Sequence, residues 1–111
     1  MNGFLIIFYT SQNRRYQGQP ISEWLLAVAK QMNLRGATVL AGMMGVDHHG
    51  QMHSAHFFEL ADQPIQIQFA VTPEQATTLL DYLNSQTIEL FYVKTPIEFG
   101  VVGQTPSDSQ S

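Results

Sequence analysis

The chain has 111 residues, a length that fits one domain with a single hydrophobic core. Nine Asp and Glu against five Lys and Arg give a formal charge of −4, so we expect no nucleic-acid partner. The chain contains no cysteine, which excludes disulfides, cysteine-type zinc sites and thiol nucleophiles. The apolar run at residues 3–9 is too short to span a bilayer and lacks a basic leader. We therefore expect a cytoplasmic protein without membrane insertion.

The first half of the chain predicts a strand, a helix and a second strand. Residues 4–9, FLIIFY, are continuously apolar, which is typical of a strand buried on both faces. Pro20 begins a segment with apolar side chains at helical spacing, which we expect to end near Gly36. Residues 37–41 are predicted to form the second strand.

The second half repeats this order after an elaborated hairpin. Residues 52–60 are predicted as a strand. Residues 65–71, IQIQFAV, alternate at period two, so one face meets the core while Gln66 and Gln68 face a wetter surface. Residues 72–75, TPEQ, predict a second helix with a capping hydroxyl, a proline in the first turn and a capping-box glutamine.

Residues 88–93 predict a last, buried strand, and we expect one domain at 1–95 followed by a partly disordered C-terminal extension at 96–111. The order of elements predicts an α+β, ferredoxin-like split βαβ fold, with two helices on one face of an antiparallel sheet. Because two helices cover only one face, the doubly apolar first strand predicts that another subunit covers the other face.

Residues 42–56, GMMGVDHHGQMHSAH, contain all four histidines of the chain. Gly42 and Gly45 can adopt positive φ or admit a ligand close to the backbone, or can simply form a bend. His48 and His49 beside an aspartate are candidate metal ligands, although adjacent residues rarely converge on one ion. We expect metal binding to be weak or absent.

Arg14 and Arg15 are the only adjacent cations and precede the first predicted helix. They are candidates to contact a phosphate, a carboxylate or a partner protein, and the alternative is a solvated loop. Tyr16 and Trp24 are interpreted as packing residues, since Trp24 lies on the apolar stripe of the helix.

The order and spacing of several short motifs resemble a small bacterial and archaeal branch of the PII-like signalling superfamily, over about residues 4–94. The residues that carry the resemblance are Tyr16, Gly18 and Pro20 before a helix, then Gly36-Ala37-Thr38-Val39, Gly42-x-x-Gly45 and His53.

The resemblance implies a homotrimer with its sheets facing inward and a mobile loop, the T-loop, at residues 42–53. It implies regulation rather than catalysis: an effector such as an adenine nucleotide binds in intersubunit clefts, and the loop acts on a transporter or an enzyme. No cofactor is required on this interpretation. The candidate ligand-binding residues are Arg14, Arg15, Thr38, Gly42, Gly45 and His53.

The sequence differs from these relatives at positions expected to contact phosphates. Ala41 stands where relatives usually carry an arginine, and Gly45-Val46-Asp47 stands where they usually read Gly-Phe-Gly. PII proteins proper place a basic, glycine-rich loop after the second helix, whereas residues 84–87 contain no Lys or Arg. These differences argue against ATP bound in the PII manner and leave a less charged adenine ligand open.

Two other classes of function remain as alternatives. Related trimers of the CutA type make metal binding through His48 and His49 one of them. The other is a small ferredoxin-like enzyme with a histidine, His53 or His56, in an enclosed apolar pocket. We expect no enzyme, because no motif forms a nucleophile and base pair. The position of the cavity discriminates between an enzyme and a regulator.

Overall fold

The computed structural model of the protein describes residues 1–34, 36–42, 44–46, 52–54 and 63–103, with the backbone alone for 44–46 and 52–54. The strands are β1 (Asn2–Ser11), β2 (Arg15–Tyr16), β3 (Gln19–Pro20), β4 (Gly36–Ala41), β5 (Met44–Val46), β6 (Met52–Ser54), β7 (Pro64–Val71) and β8 (Phe91–Glu98). The helices are α1 (Ile21–Gln31) and α2 (Pro73–Asn84).

Four strands form an antiparallel sheet in the order β4-β7-β1-β8. Each βαβ unit therefore has a strand of the other unit between its own two strands, which is the split βαβ arrangement. The α+β, ferredoxin-like fold class predicted from the sequence is confirmed. Two short ladders, β2 with β3 and β5 with β6, lie in the connections of this sheet.

The core lies between the sheet and the two helices. Alternate residues of β1 and β7, among them Ile6, Phe8, Ile67 and Phe69, are at most 1% exposed. They pack with the apolar stripes of the helices because side chains alternate between the two faces of a strand. Phe8 and Phe69 meet edge to face, with ring centroids 5.8 Å apart.

The opposite side of the sheet, called here the open face, carries no helix in the described part of the chain. The strand register places 14 residues on it: Leu5, Ile7, Tyr9, Gly36, Thr38, Leu40, Pro64, Gln66, Gln68, Ala70, Phe91, Val93, Thr95 and Ile97. None of these side chains is charged. The Gln68 amide donates to the Gln66 side-chain oxygen at 3.1 Å, so the polar pair predicted for IQIQFAV lies on this face.

Local capping explains where the helices begin and end. The side chain of Thr72 accepts from the Gln75 N–H, and the Gln75 side chain accepts from the Thr72 N–H, which confirms the predicted capping box. The expected end of α1 near Gly36 is wrong. Asn33 adopts φ of 58°, and the Leu34 N–H donates to the Ala29 carbonyl at 2.9 Å, which ends the helix earlier.

The later strands differ in part from the prediction. β6 covers residues 52–54, and residues 55–62 of the predicted strand lie outside the described part of the chain. β8 begins at Phe91 rather than at residue 88 and is largely exposed, because alternate side chains face the open side of an edge strand. It continues to Glu98, across residue 95, where the sequence predicts the domain to end. That boundary stays a prediction, and residues 104–111 lie outside the description.

Candidate functional site

One end of the sheet gathers the chain connections that follow β1 and α2 and that flank the long loop after β4. We call it the loop end. Because the strands are antiparallel, β1 and β4 end there, whereas β7 and β8 begin there. The Gln12 N–H donates to the Gln63 carbonyl at 2.8 Å, and the Gly42 N–H donates to the Pro64 carbonyl at 2.7 Å. These bonds fix the points at which the loop leaves the sheet and returns to it.

Arg14 ties two of these connections together. Its Nη2 donates to the Glu89 carbonyl at 2.8 Å, across a sequence separation of 75 residues. The Arg14 carbonyl accepts from the N–H of Ile21, the first residue of α1, at 3.0 Å. Arg14 therefore positions the start of α1 against the segment that leads into β8, and its half-buried guanidinium lies at the loop end.

Arg15 belongs to the tight hairpin formed by β2 and β3. Gln17 and Gly18 adopt φ of 52° and 82°, the left-handed pair that a two-residue hairpin turn requires. The Arg15 Nη2 donates to the Gly18 carbonyl at 2.7 Å, which holds the turn. The Arg15 side chain is exposed, so its charge is presented to solvent beside Arg14.

Three aromatic side chains support the hairpin from below. The rings of Tyr16 and Trp24 lie 4.6 Å apart, and those of Trp24 and Tyr82 lie 6.2 Å apart. The Tyr16 hydroxyl donates to the Gln86 Oε1 at 3.0 Å. Trp24 is 5% exposed, so it packs as the sequence indicated. The cluster holds the hairpin, α1 and α2 in one rigid support.

The structure brings three of the six candidate ligand residues, Arg14, Arg15 and Gly42, to the loop end. Thr38 lies within β4, on the open face opposite Gln68. Gly45 is paired with His53 in the β5–β6 ladder, where only the backbone is described. The candidate metal ligands His48 and His49 lie outside the described residues, as does His56.

Gly42 does not adopt a left-handed conformation, so the backbone freedom considered for this glycine is not used. A Cβ there would lie 3.5 Å from the Pro64 Cβ, an ordinary contact. We expect Gly42→Ala to change the free energy of unfolding by less than about 1 kcal/mol, as measured by urea denaturation. A loss of several kcal/mol would contradict this. The variant then tests, in a folded protein, whether a ligand approaches this backbone closely.

Sequence reasoning missed the acceptors that hold the loop end together. The Glu89 carbonyl belongs to the backbone, which every residue type carries, so no residue pattern could indicate it. Gln86 is a polar residue just after a helix, a position that ordinarily predicts only solvent exposure. Both contacts depend on how distant segments fold together.

A shallow cavity of about 410 Å³ lies at the other end of the sheet, lined by Phe4, Pro73, Pro96 and Glu98 among others. No histidine is among its lining residues, so this cavity does not support the histidine-pocket enzyme. Within the described ranges, no three His, Cys, Asp or Glu side chains lie close enough together to hold a metal ion. Likewise, neither described helix is long and apolar enough to cross a membrane.

The sheet order, the two helices on one face and the loop end define a ferredoxin-like protein of the PII-like class. The chain belongs to the DUF190 family, described as an uncharacterized ACR, whose model matches residues 3–98. A UPF0166 protein of Aquifex aeolicus (strain VF5) is 24% identical over 83 residues, which cover 74% of this chain and 79% of that protein.

Solved structures of PII-like proteins share the fold. CPII of Thiomonas intermedia K12, a nitrogen regulatory PII-like protein solved with ADP, AMP and bicarbonate, is 17% identical with a TM-score of 0.64, covering 90% of this chain and 97% of CPII. A protein from Thermus thermophilus, named for PII-like signalling, is 12% identical with a TM-score of 0.63. The coverage is 86% of this chain and 87% of that protein. At these identities the likeness shows the fold, and the recognition of a PII-like chain is confirmed.

Proposed function

We propose that this protein is a PII-like regulator: a homotrimer that binds a small effector, an adenine nucleotide, at clefts between subunits. The loop at residues 42–53 transmits the bound state to a partner protein, such as a transporter or an enzyme. The observation that carries the proposal is the loop end, where two arginines and both ends of that loop are tied to one rigid support.

Charge at the loop end favours an anionic effector. The described part of the chain places Arg14 and Arg15 there, whereas Lys30 lies in the last turn of α1, the far end of that helix. A guanidinium carries five N–H donors in a fork that matches phosphate geometry. Two arginines suit a nucleotide with one or two phosphates better than ATP, and CPII, which has the same fold, was solved with ADP and AMP.

The open face supports assembly. It presents exposed Leu40, Phe91 and Val93 on a surface without a charged side chain. Contiguous apolar surface of this kind is uncommon on a monomer and is ordinarily covered by another subunit. Covering the open face in a trimer would bring the loop ends of neighbouring subunits near one another, which creates clefts between them.

The loop is proposed as the signalling element because it is anchored at both ends while its length lies beyond the sheet. Gly42 and Gln63 carry the anchoring hydrogen bonds. A ligand shifts such a loop only by its differential affinity for the loop conformations, so a modest preference is enough to change a partner's binding.

The test is the affinity for ADP, measured by calorimetry on the wild type and on Arg15→Gln. Loss of one charged hydrogen-bond donor should weaken ADP binding about tenfold or more, equivalent to about 1.4 kcal/mol. Arg15 is exposed, so we expect the variant to remain folded. The matched control is Lys30→Gln, which removes the same charge at the far end of α1 and should leave the affinity unchanged.

Three results would count against the proposal. A wild-type protein that binds neither ADP nor AMP would remove its ligand. An Arg15→Gln protein with wild-type affinity would move the phosphate contact away from the hairpin. Equal losses in Arg15→Gln and Lys30→Gln would indicate a long-range charge effect rather than a site.

A further inference from the structure

The outer edge of β4 is left without a neighbour among the described residues. β4 is hydrogen-bonded to β7 on one side, and it is the terminal strand of the sheet. An edge strand presents a row of N–H and C=O groups that can pair with another chain.

The direction of these groups follows from the register. The Gly42 N–H donates to the Pro64 carbonyl, which makes this a hydrogen-bonded pair of the antiparallel ladder. Such pairs recur at every second residue, so Thr38 and Leu40 also bond to β7. The intervening Ala37, Val39 and Ala41 therefore direct their N–H and C=O groups outward.

The side chains of β4 do nothing to protect this edge. The strand GATVLA contains no charge and no proline. Val39 and Leu40 lie on opposite faces and are 38% and 45% exposed, so both faces of the strand are apolar and uncovered. Natural sheets ordinarily protect an exposed edge with lysine, proline, a bulge or a covering segment.

The other edge of the same sheet carries that protection. The Phe99 N–H donates to the Met1 carbonyl at 2.9 Å, so by the same alternation Lys94 and Pro96 of β8 face outward with their backbones. Proline has no N–H to offer to another strand, and lysine disfavours pairing by its charge. One edge of this sheet is thus blocked and the other is not.

We infer that the outer edge of β4 pairs, strand to strand, with a second copy of this chain. The edge continues directly into the open face through Thr38 and Leu40, and this combined surface is uncharged. A surface without charge fits a partner without charge, and the chain itself carries such a surface. The inference rests on the oligomer of the proposed function and adds the backbone contact that fixes how neighbouring subunits are aligned.

The test is Val39→Pro compared with Val39→Ala. Proline at residue 39 removes an outward N–H without breaking a bond to β7, and Pro96 shows that the sheet accommodates an outward-facing proline. We expect Val39→Pro to fall from the wild-type assembly to the 12.5 kDa chain in light scattering, with its circular dichroism retained. Val39→Ala trims the side chain, keeps the N–H and should stay assembled.

Amide hydrogen exchange of the wild type gives a readout that does not depend on a variant. In the assembled protein the amides of residues 37–41 should all be protected. On dilution to monomers, Ala37 and Val39 should lose protection whereas Thr38 and Leu40 keep it, because only the latter pair bonds to β7.

Several outcomes would overturn the inference. One is a Val39→Pro protein that stays assembled, including one that loses stability alone, since an intramolecular segment would then cover the edge. Another is exchange at Ala37 and Val39 as fast in the assembly as in the monomer. In both cases the oligomer of the proposed function still stands. A wild type that is monomeric at micromolar concentration would overturn that oligomer and the inference with it.

Discussion

Lysine in place of Ile6 should unfold the protein, whereas lysine in place of Ile7 should leave a folded chain that no longer assembles. Ile6 is fully buried between the sheet and the helices, opposite Phe69. An unpaired charge there costs on the order of 5 kcal/mol, comparable with the whole stability of a small domain. Ile7 is half-buried on the open face, opposite Gln68 and Val93, where a single chain can hydrate the ammonium group.

Circular dichroism and light scattering on both variants separate these effects. Ile6→Lys should lose its cooperative thermal transition. Ile7→Lys should keep the transition and scatter as a 12.5 kDa monomer. A conservative Ile7→Leu change is the control and should behave as the wild type. If Ile7→Lys assembled normally, the open face would not be the subunit interface.

Trp24→Ala should cost about 3–5 kcal/mol of unfolding free energy, because it empties a large buried site. The indole is 5% exposed and contacts both Tyr16 and Tyr82, so its loss leaves the hairpin without support. We also expect weaker ADP binding, because Arg15 lies in that hairpin. Urea denaturation measures the stability, and calorimetry below the transition measures the affinity.

Tyr16→Phe is the matched control for this cluster. It keeps the ring against Trp24 and removes only the hydroxyl that donates to Gln86. The expected loss is about 0.5–1.5 kcal/mol, the net contribution of one hydrogen bond. Equal losses in Tyr16→Phe and Trp24→Ala would show that the hydrogen bond, rather than aromatic packing, supports the loop end.

Helix ends show how far local chemistry can be read. The start of α2 was predictable because its determinants, Thr72 and Gln75, lie within one turn and contact each other. The end of α1 was misplaced because asparagine at residue 33, rather than the glycine at residue 36, adopts the left-handed conformation. Glycine is the common residue there and asparagine the less frequent one, so the pattern favoured the wrong position.

The last strand shows a limit of a different kind. Its apolar side chains predicted burial, yet Phe91 and Val93 are 45% and 38% exposed in the single chain. Apolar periodicity reports that a surface avoids water. It does not report whether the chain's own helices or another subunit covers that surface, because both give the same pattern.

The sequence by itself determined the order of strands and helices, the fold class and the two adjacent arginines, because these depend on periodicity, capping residues and neighbours along the chain. Only the tertiary structure decided that Arg14 reaches the Glu89 carbonyl and that β4, unlike β8, keeps an unprotected edge. These features join residues far apart in sequence. They depend on strand register and backbone direction, which residue types alone do not encode.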